Sequence, residues 1–193
     1  MKYDDLLEIN QNLFVLEPKY FQQGLTSEKR MFLRERAYEA LLKSREKLPS
    51  GMTFKIWDAY RTLETQENLF NIYKEKFRKE KPELIKDGNE DELIKYTSKY
   101  VIFPSDNLEN MSPHLTGNTV DLTIVDKELK ELDMGTGFDE MCEEAALYYF
   151  RDKKNKSLKD KLIEENRELL RKVMIDSGFK EYVHEWWHYQ FFE

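Results

Sequence analysis

Thr119-Val120-Asp121-Leu122-Thr123-Ile124-Val125 is the stretch on whose reading the fold depends. It is rich in β-branched residues and alternates, which marks a strand rather than a helix. The alternation puts Asp121, Thr123 and Val125 on one face and Val120, Leu122 and Ile124 on the other. Ser112-Pro113-His114-Leu115-Thr116-Gly117-Asn118 leads into it. His114 and Asp121, seven residues apart, would share a face of a helix, but Gly117 and four β-branched neighbours argue against helix there. The expected arrangement is a loop delivering His114 and a strand delivering Asp121, with Gly117 letting the backbone fold between them.

Working outward, Thr53 to Tyr60 alternates apolar and polar residues and reads as a second strand, with Arg61 where it stops. Thr62 is placed to cap a helix over about 63–79 that carries Leu69, Phe70, Tyr73 and Phe77 inward. Upstream, residues 12–16 read as a short strand stopped by Pro18, and Ser27 as the cap of a helix over about 28–47 whose apolar face holds Ala37, Leu41 and Leu48. Residues 78–99 turn charged and are broken by Pro82 and Asp87-Gly88-Asn89, so they read as a surface excursion with one short helix near 90–98. Downstream, a helix is expected from about Asp139 to Phe150. A longer one is expected over 158–177, capped by Ser157 with Asp160 and ended by Gly178. Residues 179–183 and 187–192 read as two strand segments. Helices and mostly antiparallel strands in this order make an α+β domain.

The 193 residues fit one domain over 1–193, and 40% hydrophobic with 13% aromatic content excludes a disordered chain. Acids and bases are interleaved around a net charge of −7, which leaves no basic face for nucleic acid or anionic lipid. The start, Met1-Lys2-Tyr3-Asp4-Asp5-Leu6, lacks the apolar core of a signal peptide, and no run is long enough to span a bilayer. Cys142 is the lone cysteine, so no internal disulfide forms, and a cytoplasmic location with no membrane partner is expected. Asp58 and Cys142 read as structural.

Chemistry concentrates at the end of the chain, in Tyr182-Val183-His184-Glu185-Trp186-Trp187-His188-Tyr189-Gln190-Phe191-Phe192. A carboxylate and an imidazole among large rings cost several kcal/mol to bury unless each has a partner, and a metal ion would supply one. The odd spacing of Glu185 and His188 sends them to opposite faces of a straight strand, so both reach one site only across a bulge or tight turn. His188 with His114 and Asp121 makes two imidazoles and one carboxylate, a catalytic zinc set with its fourth position open. Glu185 is then the unliganded general base. On chemistry alone His184 competes with His188 as the ligand. The rings of Trp186, Trp187, Tyr189, Phe191 and Phe192 read as core.

Several motifs occur in order: Trp57-Asp58-Ala59-Tyr60-Arg61 within 54–70, the Ser-x-His-x-x-Gly-x-x-x-Asp stretch 112–121, Met134-Gly135-Thr136-Gly137-Phe138-Asp139-Glu140-Met141, and Ser177-Gly178-Phe179 leading into Glu185-Trp186-Trp187-His188-Tyr189. Together they resemble the zinc D-alanyl-D-alanine dipeptidases of the vancomycin-resistance (VanX-like) type, convincingly over about 50–193 and loosely before. The resemblance implies a central mostly antiparallel sheet flanked by helices, of the hedgehog/DD-peptidase kind. It implies one Zn2+ per chain held by His114, Asp121 and His188, with His184 left out of the set. It also implies Glu185 as catalytic base, Arg61 facing the developing oxyanion, and Ser112 and Asp139 shaping the pocket for a small dipeptide, D-alanyl-D-alanine. Tyr20 matches a pocket tyrosine only through a thin N-terminal similarity.

The chain has Thr62 where the family often has proline, and Thr119 where it often has alanine; both bear on substrate preference rather than on reaction type. A peptidoglycan carboxypeptidase or endopeptidase of the same superfamily is the alternative, and a zinc-binding module without turnover another, although retention of both Glu185 and Arg61 counts against the latter. If Arg61 serves the reaction rather than a structural ion pair, its removal is expected to leave stability nearly unchanged.

Overall fold

Residues Thr119–Val125 do form a strand, and all seven are buried, which places it in the middle of the sheet. In the computed structural model, residues 5–107, 109–140 and 142–192 are described. Their strands are β1 (Leu6–Glu8), β2 (Val15–Leu16), β3 (Phe32–Arg34), β4 (Thr53–Asp58), β5 (Thr119–Val125), β6 (Phe179–Tyr182) and β7 (Glu185–Phe191). The helices are α1 (Lys19–Gln22), α2 (Glu35–Glu46), α3 (Leu63–Glu80), α4 (Asp91–Thr97), α5 (Tyr149–Asp152) and α6 (Leu158–Ile175). One sheet has the order β2-β4-β5-β7-β6, with β2 parallel to β4 and the other neighbours antiparallel. The α+β expectation with a mostly antiparallel sheet therefore holds.

The alternation along β5 divides the molecule. Val120, Leu122 and Ile124 enter the large core, where Phe54 and Ile56 of β4 meet Ala37 and Leu41 of α2 and Leu170, Val173 and Met174 of α6. A smaller cluster of Tyr20, Leu25, Leu69, Phe70 and Val101 seats α3. Both long helices carry the expected caps. Thr62 Oγ1 accepts from Thr65 N at the start of α3. Ser157 and Asp160 form a reciprocal capping box on α6. Gly178, at φ +98°, turns the chain back into β6.

Two interruptions in the pairing aim side chains at one place. Ile56 pairs with Leu122 but Asp58 with Asp121, so Trp57 is an extra residue in β4. On the other side Glu181 pairs with Tyr189 and Tyr182 with Glu185, which leaves residues 186–188 of β7 unmatched on β6. The irregularity required by the odd spacing of Glu185 and His188 is there.

Two expected helices are corrected. The helix expected over 28–47 begins only at Glu35, and Ser27 does not cap it; its N-cap is Arg34, in extended conformation. Residues Phe32–Arg34 pair with Leu6–Glu8 instead, and Arg34 N donates to Gly117 O at 2.8 Å. These are partners distant in sequence, which overrode a helical local pattern. The helix expected from Asp139 to Phe150 is a 3₁₀ turn at Glu143–Ala145 followed by α5. Asp139 sits at φ +58°, and two carbonyls within the stretch, Glu144 O and Ala146 O, accept from Arg167 at 2.8 and 2.7 Å. Met141, part of the motif over 134–141, lies outside the described residues. Trp186, Trp187 and Tyr189 are core as expected, but Phe191 is only half-buried and Phe192 is exposed.

Candidate active site

His114 comes from the 3₁₀ turn Pro113–Thr116, which ends at Gly117 with φ +75°. That left-handed residue reverses the chain into β5, and a Cβ there would stand 2.9 Å from Leu6 Cδ2. Asp121 follows on β5, and His188 lies directly across from it on β7. His114 Nε2 is 3.2 Å from Asp121 Oδ2, and His188 Nδ1 is 3.0 Å from Asp121 Oδ1. One ligand atom from each of the three residues lies within 4.8 Å of the others, and all three residues are buried. His184 is exposed, its ring edge-on to Tyr182, and is not in that group.

The donor set fits a tetrahedral metal ion. Zinc bonds of about 2.0–2.2 Å require ligand atoms roughly 3.3 Å apart; the two histidines stand 3.2 and 3.0 Å from the two oxygens of Asp121, and one atom from each of the three residues falls within 4.8 Å of the others. His114 Nδ1 lies 2.7 Å from Ala59 O. A carbonyl only accepts, so the proton sits on Nδ1 and Nε2 presents its lone pair to the site. Electrostatics favour a cation as well. Asp58, Asp121, Asp139 and Glu185 gather around one guanidinium, that of Arg61. Burial works against ionisation of Asp121, yet His114 and His188 more than offset it and hold the carboxyl well below its usual range. Burial also opposes the charged form of His114, but Asp121 and Asp58 outweigh it and raise its pKa, whereas burial dominates at His188 and lowers it.

Glu185 Oε2 stands 3.8 Å from His188 Nδ1, outside the three ligands but beside them. Burial, then the charges of Asp121 and Asp139, push its pKa up to about 8. Asp139 accepts from Tyr20 OH at 3.0 Å, and burial followed by repulsion from Asp121 raises it to about 7. Arg61 is buried; its Nε and Nη2 donate to Asp58 Oδ2 at 3.1 and 2.7 Å, Nη1 donates to Gln66 Oε1 at 2.6 Å, and its guanidinium lies 4.7 Å from the Tyr20 ring centre. Ser112 is buried at the start of the His114 turn. A cavity of about 1080 Å³ is lined by all of these predicted residues, Arg61, Ser112, His114, Asp121, Asp139, Glu185 and His188, with Tyr20 among them.

Two participants were not legible beforehand. Asp58, read as structural, has its Oδ2 between Arg61 and His114, 3.1 Å from His114 Nδ1. The only hint was its place two residues before Tyr60-Arg61, at a strand end whose bulge is invisible in sequence. Gln66 is buried on α3, one turn before Phe70, and nothing in its neighbourhood distinguished it from a surface glutamine. Cys142, also read as structural, is exposed. Arg61 is both in the site and in a buried ion pair with Asp58, so the expectation that stability would ignore its loss is not carried by the geometry.

Among the described residues no helix is long and apolar enough to cross a membrane. A D-alanyl-D-alanine dipeptidase of Escherichia coli (strain K12) is 37% identical over 79 residues, 41% of this chain and 37% of that protein. One of Enterococcus faecium is 30% identical over 156 residues, 78% of this chain and 68% of that protein. The matched stretches span only 36–37% of the length of the first three curated relatives. The crystal structure of a vancomycin-resistance D,D-pentapeptidase, VanY, in complex with Zn(II) is similar in fold, with a TM-score of 0.50 at 16% identity over 86% of this chain and 75% of that one. A family profile described as D-Ala-D-Ala dipeptidase matches residues 18–193, and the chain belongs to that family.

Proposed function

We propose that this protein is a zinc metallopeptidase that hydrolyses D-alanyl-D-alanine to free D-alanine. The observation that carries the reading is a buried His114–Asp121–His188 ligand group with a carboxylate of raised pKa, Glu185, beside it and a buried guanidinium, Arg61, on the same cavity. His114, Asp121 and His188 would hold the zinc, which would supply Lewis acidity and lower the pKa of a water to about 7. Glu185, 3.8 Å from His188 and outside the ligand set, takes up the proton of the attacking water and passes it to the leaving amine. Arg61 stays charged throughout and stabilises the oxyanion that develops on the peptide carbonyl. Asp58 and Gln66 hold it from two sides. Asp139, paired with Tyr20, and Ser112 are the polar groups on the cavity wall for the ends of a dipeptide.

The cavity also supports a second reading. Its volume of about 1080 Å³ is large for a dipeptide and opens past the exposed side chains of Tyr100, Ile102, Tyr182 and Phe192. That much space is compatible with a carboxypeptidase or endopeptidase acting on a longer wall peptide. The two are separated by offering the zinc-loaded protein D,D-, L,D- and L,L-dipeptides alongside N-acylated D-Ala-D-Ala. Release of D-alanine from free D-Ala-D-Ala but not from the N-acylated form is expected. Equal turnover of the N-acylated compound would favour the second reading, and no turnover of any of them would overturn both.

A further inference from the structure

Gln66 is buried on α3 with both ends of its amide engaged. Oε1 accepts from Arg61 Nη1 at 2.6 Å, and Nε2 donates to Ile102 O at 2.6 Å. The orientation of the amide follows from its partners, since a guanidinium only donates and a carbonyl only accepts. Its own backbone is held too, Gln66 N donating to Thr62 O at 3.0 Å in the capped first turn of α3. The chain at Ile102 belongs to the segment Ser98, Lys99, Tyr100, Val101 and Ile102 that walls the cavity. That segment is seated by Val101 in the cluster with Leu69 and Phe70, and by Phe103 edge-on to Phe70 at 5.2 Å.

We propose that Gln66 is a positioning residue: it fixes Arg61 in the place the transition state needs and couples that place to the cavity wall at Ile102. This rests on Arg61 having the role proposed above. Four of the five N–H groups of the guanidinium are engaged, with Asp58 twice, Tyr20 and Gln66. Asp58 and Tyr20 hold the Nε and Nη2 edge; Gln66 is the partner of Nη1, whose remaining hydrogen is the donor left for a substrate oxygen. Losing Gln66 leaves the charge and the Asp58 pair in place but frees that end of the fork. A displacement of about 1 Å in such a group can cost up to 10²-fold in rate.

The test is a double-mutant cycle on zinc-loaded protein with D-Ala-D-Ala as substrate, combining Gln66→Met with Arg61→Lys. Lysine keeps a cation for Asp58 and loses the nitrogen that Gln66 holds. Gln66→Met alone is expected to lower kcat on the order of tenfold or more, with KM little changed and zinc content unchanged. In the Arg61→Lys background the same substitution is expected to cost less than about twofold, because the two residues act as one unit. A Gln66→Met protein with full kcat, or one that loses the same factor in both backgrounds, overturns the proposal. If Gln66→Met does not fold, Gln66→Asn, too short to span both partners, goes through the same cycle under the same criteria. Full activity of Arg61→Lys alone would instead overturn the role of Arg61. An impaired Arg61→Lys with independent losses would remove Gln66 and leave that role standing.

Discussion

The start of α6 and the start of β7 both bury polar side chains, and they do it by opposite means. At α6, Ser157 Oγ accepts from Asp160 N while Asp160 Oδ2 accepts from Ser157 N, so two residues three apart satisfy each other. At β7, Glu185 and His188 are three residues apart on a bulged strand, and His188 finds its partner in Asp121 on another strand. The first arrangement is complete within one turn of helix. The second exists only when β4, β5, β7 and the His114 turn are assembled. Local closure of this kind stabilises an element, whereas distant convergence leaves a concentration of charge that a metal ion can use.

If the contrast is right, the largest effects belong to the convergent side. His114→Ala and His188→Ala should each lose tightly bound zinc and all measurable turnover, as elemental analysis beside kinetics will register. Loss of zinc in His184→Ala with retention in His188→Ala would mean the wrong histidine had been assigned. Glu185→Ala should keep the metal and the fold while kcat falls by roughly 10²–10⁴-fold. Turnover within a few-fold of the parent would reduce Glu185 to a structural carboxylate.

Gly117→Ala tests the joint between His114 and Asp121. An alanine at φ +75° costs about 1–2 kcal/mol in backbone strain, and the new Cβ crowds Leu6 Cδ2. Weaker zinc binding should accompany the lower melting temperature, because the turn presents a ligand. A drop in stability with unchanged zinc affinity would detach the turn from the site.

The local side should respond in stability alone. Ser157→Ala is expected to cost about 1 kcal/mol, or a few degrees in Tm, with kcat and zinc content untouched. The partner Asp160 adds a pH signature. Lys153, then the backbone and side chain of Ser157, hold its pKa at about 2, below its ordinary 3.8. A depressed carboxyl stabilises the fold above its unfolded pKa, so this contribution is complete above roughly pH 4 and fades as pH falls toward about 2. Asp160→Asn should flatten that part of the acid-unfolding curve; an identical curve would show that the box contributes nothing there.

Much of this protein was readable in advance where the cause is local. Thr62 and Ser157 announced two helices because a hydroxyl before an apolar helical run satisfies orphan backbone N–H groups. The alternation of Thr119–Val125 announced the central strand and put Asp121 on the face opposite Leu122. The ligand residues were visible as chemistry, and the odd spacing of Glu185 and His188 even required the irregularity found in β7. Residues 32–34 and 139–150 were misread because their backbone groups bond to Leu6–Glu8, Gly117 and Arg167, partners far away in sequence that outweigh helical propensity.

Asp58 and Gln66 mark the remaining boundary. Their residue types are ordinary, and their importance comes from the bulge at Trp57 and the seating of α3, which bring them to opposite sides of Arg61. Local sequence determines which groups are present and which short-range hydrogen bonds they close. Only tertiary structure decides which of them are buried together, and burial is what makes a carboxylate or a guanidinium depend on its neighbours.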